Sequence, residues 1–309
     1  MSDKPRMKCF DPATDGPVAF FKIFSSAVAP RPIAFVSTVS ANGTKNLSPF
    51  SFFNFFSANP PVLVFSVSTP ASGGEKDTLR NVRESRECII HITDRPLGDQ
   101  LNLASAVYPP DIDEFEKAGL TAVAGDDVSV FRVAEAKIAM ECRLRQIVPL
   151  GDQRASGNLV ICDVVKLHAD ESILFEDGAS IDPRKFASLS RLGGEWYMET
   201  RPDALFELPR PPGGDAMGVN GVLAAAPLAS QLTIAERSIL GTLSAPPEKN
   251  AVAAFAERWR VSRVNEATDN PQAVLLDHAR KSLSRHDADE GWLAILAAEQ
   301  LSDAKELRQ

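Results

Sequence analysis

The strongest constraint on the fold of this chain is a series of short apolar runs, rich in Val, Ile and Phe, between residues 19 and 197. Turn residues separate the runs, a pattern typical of an antiparallel β domain. Asn42-Gly43 predicts a type I′ hairpin after the first run, because both residues tolerate a positive φ. Two short helices are expected, one with Asp77 as its N-cap and one over residues 97–105. The predicted strands are residues 33–40, 46–53, 62–68, 88–92, 137–148 and 159–168.

So many strands with so few helices predict a mainly β fold, either a barrel or a sandwich. Strands and helices do not alternate and no GxGxxG is present, so a doubly wound dinucleotide-binding sheet is not expected. The sequence also has no GxSxG, no P-loop lysine motif, no HExxH and no paired-cysteine spacing. Hydrolysis, phosphoryl transfer and a metal site therefore lack support.

A second compositional region follows the β region. Residues 201–218 are dense in Pro and Gly and predict a linker. It would join a domain over residues 1–200 to a helical C-terminal extension over residues 219–309. Helix signals in the extension are a capping box at Thr233-Ile234-Ala235-Glu236, a cap with first-turn proline at Asn270-Pro271, and amphipathic patterns over residues 251–264, 271–283 and 291–301.

The composition is that of a soluble globular protein, with 44% hydrophobic and 24% charged residues. A net charge of -8 argues against binding to nucleic acid or to an anionic membrane. Residues 1–8 lack the apolar stretch of a signal peptide, and no run is long enough to span a bilayer, so a cytoplasmic protein is expected. The cysteines are widely spaced and are expected to be buried free thiols: Cys9, Cys88, Cys142 and Cys162.

The stretch SPFSFFNFFS, residues 48–57, mixes aromatic side chains with Ser and Asn so that neither strand face is purely apolar. One interpretation is a core strand whose small hydroxyls bond neighbouring backbone. The other is a wall that offers amides and hydroxyls to a flat, polar-edged heterocycle beside apolar surface. The stretch alone leaves both open.

Lys76-Asp77-Thr78 stands at the start of the first predicted helix. A helix N-terminus holds unbonded N–H groups and partial positive charge, and therefore favours a phosphate. Lys76 adds a full charge and Thr78 adds a hydroxyl donor. The alternative is a capped surface helix with a solvated lysine.

Two further residues are candidates for a site. Arg31 lies between two prolines, and this stiff backbone suits either a positioned ligand contact or an edge salt bridge. His168 ends the last predicted strand beside two acidic residues, and it is the one histidine expected near a site.

Four segments occur in one order along the chain: APRPIAFVSTVSANGTKNLSPFSFFNFFSANPPVLVFSVS from residue 29, KDTLRN from 76, YPPDIDEFEKAGL from 108 and RLGGEWY from 191. Together they resemble the flavin reductase-like, FMN-binding split-barrel family. The branch concerned includes flavoredoxin and the reductase components of nitrilotriacetate-type monooxygenases. The resemblance covers nearly all of residues 15–200. It implies a split β-barrel with short inserted helices that holds FMN in a groove, usually in a homodimer.

The resemblance also implies which residues contact the cofactor. The expected ring and ribityl contacts are Arg31, Asn46, Ser48, Ser51 and Asn54, with Pro49 and Phe50 in the same stretch. The ribityl chain and phosphate are expected on Ser66, Lys76 and Thr78. Apart from the resemblance, the place of His168 at a strand end makes it the candidate for contact with the nicotinamide, and no metal is expected. Arg191 and Tyr197 match a family segment without an assigned role.

The implied activity is NAD(P)H-dependent reduction of FMN, in which hydride passes from the nicotinamide to the flavin without a side-chain acid or base. The reduced flavin would then supply a monooxygenase. Simple reductases of this kind end soon after the RLGGEWY segment, so the extension leaves two alternatives open. One is an FMN-dependent enzyme acting directly on a small organic substrate, and the other is a flavoredoxin-like electron carrier. No Rossmann selector residue chooses between NADH and NADPH.

Overall fold

The computed structural model describes residues 6–70, 72–208, 210–211, 214–262 and 270–306. It divides the chain into two compact units, Met1–Phe206 and Glu207–Gln309. The boundary falls inside the segment with the linker composition, of which Pro209, Pro212 and Gly213 lie outside the described residues. The strands all belong to the first unit within the described part of the chain.

The described strands are β1 (Arg31–Pro32), β2 (Ala34–Val39), β3 (Lys45–Phe50), β4 (Phe53–Ala58), β5 (Pro61–Ser68), β6 (Glu87–Ile92), β7 (Ala122–Ala124), β8 (Phe131–Val133), β9 (Ile138–Pro149), β10 (Gly157–Ala169), β11 (Leu189–Arg191) and β12 (Tyr197–Glu199). The helices of the first unit are α1 (Pro12–Ala27), α2 (Asp77–Ser85), α3 (Gly98–Leu103) and α4 (Glu114–Ala118). Seven strands form one antiparallel sheet in the order β3-β2-β6-β9-β10-β5-β4.

Strands β3 and β4 are the two edges of that sheet, yet only Ser51 and Phe52 separate them in the chain. So short a connection spans about 10 Å at most, so the sheet must curl until its edges approach each other. The prediction of one strand over residues 46–53 is wrong, because the chain bends at Ser51 and Phe53 pairs with Phe65 of β5 instead. The predicted split β-barrel is confirmed.

Side-chain alternation along the strands separates two apolar layers. Ala34 and Val36 of β2 face the barrel interior, where they join a cluster that includes Phe65. Phe35, between them, packs in a second cluster with Leu101 of α3 and the α4 region. The second layer covers the outside of the sheet and positions α3 beside the site described below.

The hairpin between β2 and β3 is not the predicted type I′ turn. The Gly43 N–H donates to the Ser40 carbonyl at 2.9 Å, and Ser40 N–H donates to the Thr44 carbonyl at 3.0 Å. Gly43 alone in this loop has a positive φ, of 88°. The Asn42 side chain instead accepts from Thr44 N–H and the Ser40 hydroxyl. These bonds favour a three-residue loop closed by a left-handed glycine over a two-residue turn.

Helix α1 was not expected, because the β region was placed from residue 19 onward. Asp11 caps the helix by accepting from Ala13 N–H at 2.8 Å. Gly16 and Pro17 interrupt the sequence pattern that is typical of a helix, and Gly16 has a φ of 78° inside α1. Its larger apolar side chains, such as Phe24, are exposed, so the buried apolar stripe by which a helix is recognised in a sequence is missing.

The cysteines are free thiols, as expected, but Cys9 is exposed. The other three are buried on neighbouring strands, and the sulfurs of Cys88 and Cys162 are 3.8 Å apart. Hydrogen bonding to Cys142, together with burial, raises the pKa of the Cys88 thiol. The Cys88 thiol therefore stays protonated, and the three buried cysteines pack as small apolar groups.

The second unit is a bundle of helices around the fully buried Trp292, whose indole N–H donates to the Leu240 carbonyl at 3.0 Å. The predicted capping box at Thr233 and the cap at Asn270 are confirmed. Residue 264, the predicted end of one helix, lies outside the described residues. None of the described helices is both long and apolar enough to cross a membrane. The helices are α5 (Gly218–Ala225), α6 (Ile234–Leu240), α7 (Lys249–Ser262), α8 (Pro271–Leu283) and α9 (Ala288–Glu306).

His91 is a fully buried histidine that ties three strands together. Its Nδ1 bonds the Phe35 carbonyl at 2.8 Å, and its Nε2 bonds the Val133 N–H at 2.9 Å. Nε2 must accept from that N–H, so the ring is neutral with its proton on Nδ1. Burial lowers the pKa of His91 to about 4.

We expect acid to destabilise the first unit through His91. The unfolded chain takes up a proton near pH 6.5 and the folded chain only near pH 4, so stability falls as the pH drops through this window. The loss attributable to His91 at pH 5 is about 2 kcal/mol. Urea unfolding at pH 7 and pH 5 should show this loss in the native protein. In His91→Gln, which can donate and accept but does not titrate, the pH dependence should be smaller, and an unchanged pH dependence would contradict the assignment.

Candidate functional site

The open edge of the barrel is strand β3, which pairs with β2 on one side only. Leu47 N–H faces away from β2 and donates to the Glu114 carboxylate at 3.0 Å. Burial raises the pKa of Glu114 to about 7. Pro49, two residues further on, occupies the next outward position, where an edge strand tolerates a residue without an N–H. The carbonyls of Leu47 and Pro49 therefore face whatever lies along this edge.

The predicted contacts on β3 divide between its two faces, since side chains alternate along a strand. Asn46, Ser48 and Phe50 belong to the barrel side, where the Phe50 ring packs against that of Phe65 with centroids 5.4 Å apart. Pro49 belongs to the opposite face. A molecule lying at the open edge can reach both faces.

Helix α2 begins on the barrel side of this edge. Its N-cap is Lys76, which is extended and makes no capping hydrogen bond. The prediction of Asp77 as the N-cap is wrong by one residue, because the chain is still extended at Lys76 and the Asp77 carboxylate pairs with Arg80. The first N–H groups of the helix have no acceptor within it. The Lys76 ammonium lies 5.7 Å from the Phe50 ring centroid, and burial lowers the pKa of Lys76.

A buried polar cluster backs the start of α2. Asn46 Nδ2 donates to Thr38 Oγ1 and to Thr78 Oγ1, both at 3.0 Å, and Asn81 Nδ2 donates to Thr38 Oγ1 at 3.1 Å. Asn81 is 1% exposed. Its Oδ1 is buried and has no hydrogen-bond partner in the described part of the chain. An orphaned acceptor of this kind requires a donor that the folded chain does not supply.

A cavity of about 730 Å³ lies on the other face of β3. Arg31, Pro49 and Ser51, which were predicted as cofactor contacts, are among its lining residues. Its apolar walls come from five parts of the chain. They are formed by Phe21 of α1, Ile33 directly after β1, Phe52 in the bend after β3, Leu101 of α3 and Leu192 directly after β11. A concave site with apolar walls and a few polar groups suits a planar cofactor or substrate.

Arg31 holds the walls of this cavity together. Its Nη1 donates to the Ser25 carbonyl and, at 2.6 Å, to the Val28 carbonyl at the end of α1. Its Nη2 donates to the Leu192 carbonyl at 3.0 Å, and its Nε lies 3.4 Å from Ser51 Oγ. Burial, with the positive charge of Arg191, lowers the pKa of Arg31. The guanidinium of Arg31 thus joins three chain segments: the end of α1, the bend after β3 and the segment after β11.

The RLGGEWY segment closes the cavity against α1. A side chain at Gly193 would meet Ser26 Oγ at 2.0 Å, so only glycine permits this close approach. The Arg191 guanidinium stacks on the Tyr197 ring, 4.4 Å from its centroid, and its Nη2 donates to the Gly194 carbonyl. The RLGGEWY segment therefore holds the Arg191 guanidinium in a defined position at the cavity wall.

Three other predicted site residues are not among the residues that line the cavity. Ser66 is on the outer face of β5 and its N–H donates to the Phe52 carbonyl at 2.8 Å. Asn54 is exposed on β4, and its side chain accepts from the N–H of the next residue at 2.9 Å. His168 bonds Glu141 at 2.7 Å on the outside of the sheet and is not among the residues that line the cavity.

Sequence reasoning missed the contribution of α1. Val18, Phe21, Lys22 and Ser25 line the cavity at a spacing of three and four residues, as expected for one face of a helix. This spacing was a usable signal. It went unrecognised because half of the stripe is polar, whereas helix prediction relies on an apolar stripe.

Residues 26–189, just over half of the chain, match the family described as "Flavin reductase like domain". The chain belongs to this flavin reductase-like family. The family match ends before the helical unit begins. Among curated proteins, an uncharacterized protein from Aquifex aeolicus strain VF5 is 34% identical over 186 residues, which are 60% of this chain and 92% of that protein.

Solved structures agree with this membership. Nitrilotriacetate monooxygenase component B from Bacillus cereus is 35% identical with a TM-score of 0.62, over 66% of this chain and 100% of that one. The 2-nitrobenzoate 2-nitroreductase NbaA from Pseudomonas fluorescens is 25% identical with a TM-score of 0.59, over 67% of this chain and 100% of that one. The fold is therefore that of flavin reductase-like split barrels.

The residues present fit a flavin mononucleotide, the cofactor that this family implies. The uncapped start of α2 and Lys76 suit its phosphate. The orphaned Asn81 Oδ1 suits a hydroxyl donor such as the ribityl chain provides. The outward carbonyls of β3 and the apolar cavity suit the edge and face of its ring.

Proposed function

We propose that this protein binds FMN at the open edge of β3 and reduces it with NAD(P)H, as a flavin reductase. The observation that carries the proposal is the pairing of a phosphate-suited helix start with an aromatic-walled cavity on the two faces of one edge strand. FMN, when bound, supplies the hydride-accepting chemistry. Membership of the flavin reductase-like family supports the same activity.

The chain's own residues have binding and orienting roles in this proposal. Lys76 and the amides at the start of α2 hold the phosphate, and Asn81 accepts from the ribityl chain. The carbonyls of Leu47 and Pro49 accept from the ring edge. Arg31 maintains the size of the cavity, because its guanidinium joins the end of α1 to the backbone at Leu192. No side chain needs to transfer a proton for hydride transfer between stacked rings.

The test is spectroscopic. The purified protein should bind FMN, and NADH or NADPH should be consumed in sustained turnover when FMN is added. Separate titrations with the two nucleotides give the preferred donor. A protein that binds FMN but does not oxidise either nucleotide would overturn the reductase proposal and favour an electron carrier.

A second candidate function is FMN-dependent conversion of a small organic molecule. The cavity of about 730 Å³ beside β3 favours it, because it offers apolar space next to the proposed ring position. The name of the similar 2-nitrobenzoate 2-nitroreductase points in the same direction. This candidate predicts tightly bound, stoichiometric FMN and poor turnover of added flavin.

We also propose that the protein acts as a homodimer in the cytoplasm and passes reduced flavin to a monooxygenase. Exposed aromatic side chains support an interface between copies: Phe55 and Phe56 on β4 are 69% and 68% exposed. Sedimentation at several concentrations tests the dimer. A pull-down with a candidate oxygenase tests the partner.

A further inference from the structure

The cavity beside β3 is positively charged although the chain as a whole is acidic. Lys22, Arg31 and Arg191 line it, and no carboxylate is among its lining residues in the described part of the chain. The net charge of the chain is -8. A cluster of cations without counter-charge in a concave site attracts an anionic ligand.

The two arginines keep donors for such a ligand. A guanidinium has five N–H groups, and Arg31 directs four of them to Ser25, Val28, Leu192 and Ser51, which leaves one on Nη2. Arg191 donates to the Gly194 carbonyl through Nη2 alone. The charges of Arg31 and Arg191 repel each other, which an anion between them would relieve.

The remaining walls are apolar and suit a flat, apolar body beside that charge. The rings of Phe21 and Phe52 meet edge to face with centroids 6.4 Å apart. Ile33 and Leu101 complete an apolar lining. Aromatic rings favour edge-to-face or offset contacts with one another, so these side chains suit an aromatic ligand.

The neighbouring cavity, of about 850 Å³, differs in charge. It shares Arg191 with the first cavity but is also lined by Asp99, Glu195 and Glu199. These carboxylates outnumber the two arginines there and disfavour a highly charged anion such as a pyrophosphate. A compact anion is therefore drawn to the first cavity.

We propose that the cavity beside β3 binds a small aromatic carboxylate, with its ring against Phe52 and Leu101 and its carboxylate on Arg191 and the remaining Arg31 donor. Carboxylates pair with guanidinium groups through charge-assisted hydrogen bonds, often bidentate ones. This site stands on the geometry and charge of the cavity. Only its position next to a flavin rests on the proposed function.

The proposal is tested by calorimetric titration of the purified full chain with benzoate, benzamide and ADP-ribose. Calorimetry measures the heat of ligand binding directly, so the readout does not depend on bound flavin. Benzoate should bind about tenfold or more tightly than the uncharged benzamide. Arg191→Met should remove most of that difference, and Arg191→Lys should restore part of it. Arg95→Met is the matched control, because Arg95 lines the neighbouring cavity and is not among the residues that line the cavity beside β3.

Equal affinity for benzoate and benzamide, no binding of benzoate, or unchanged selectivity in Arg191→Met would overturn the proposal. Binding of ADP-ribose without benzoate, lost in Arg191→Met, would also overturn it and identify a dinucleotide phosphate site. Selective benzoate binding by a protein that never binds FMN would support this inference while removing the proposed function.

Discussion

Lys76→Met is expected to weaken FMN binding by roughly 10- to 100-fold, the range for losing one charge-assisted hydrogen bond. Riboflavin affinity should stay unchanged, because riboflavin has the same ring and ribityl chain but no phosphate. Lys76 is the residue to test because it is the N-cap of α2, makes no capping bond, and has its ammonium over Phe50 beside the open edge. Quenching of flavin fluorescence measures both affinities.

The matched control for this prediction is Lys166→Met. Lys166 lies on β10 and pairs with Asp126 and Asp127 on the outer surface, away from α2. Both flavins should bind this variant as they bind the native protein. Equal weakening of FMN and riboflavin in Lys76→Met would mean that the lysine supports the fold of the site and does not hold the phosphate.

Arg31→Met is expected to lower the free energy of unfolding of the first unit by about 3 kcal/mol, since carbonyls at the end of α1 and at Leu192 lose a charged donor. The effect should be local as well as global. Hydrogen–deuterium exchange should increase in peptides from α1 and from residues 189–197. Peptides from α8 and α9 should exchange as before.

Arg95→Met provides the comparison for Arg31. The Arg95 side chain is 54% exposed, and the carboxylate of Asp99 lies 4.0 Å from it. Exposed pairs of this kind contribute little to stability, so its substitution should change the free energy of unfolding by less than about 1 kcal/mol. Unchanged exchange of α1 in Arg31→Met would contradict the clamping role.

Much of the fold could be predicted because strand patterns and caps are local signals. Strands β9 and β10 were predicted within two residues of their observed ends, and α8 was predicted with its observed bounds. The division of residues 46–53 into two edge strands could not be predicted. That break depends on closure of the whole sheet, and neither glycine nor a two-residue turn dipeptide such as Asn-Gly marks Ser51 and Phe52.

The candidate site was predictable only in part, for a similar reason. Arg31, Pro49 and Ser51 were identified and line one cavity, while Lys76, Thr78 and Asn46 gather on the other face of β3. Sequence spacing cannot show that these groups flank one edge. It also cannot show that the guanidinium of Arg31 is mostly occupied by backbone carbonyls, because those carbonyls come from segments as distant as Leu192.

The two edges of the seven-stranded sheet have a consequence for solubility. An unprotected edge is a template on which another chain can add a strand and begin to aggregate. Pro49 offers no N–H on β3, and Leu47 N–H is already taken by Glu114. On β4 the pairing shifts register between Phe55 and Ser57, which disrupts the straight edge that an added strand needs. The same edge that the proposed function leaves open to a small cofactor is thus closed to a β-strand from a neighbouring molecule.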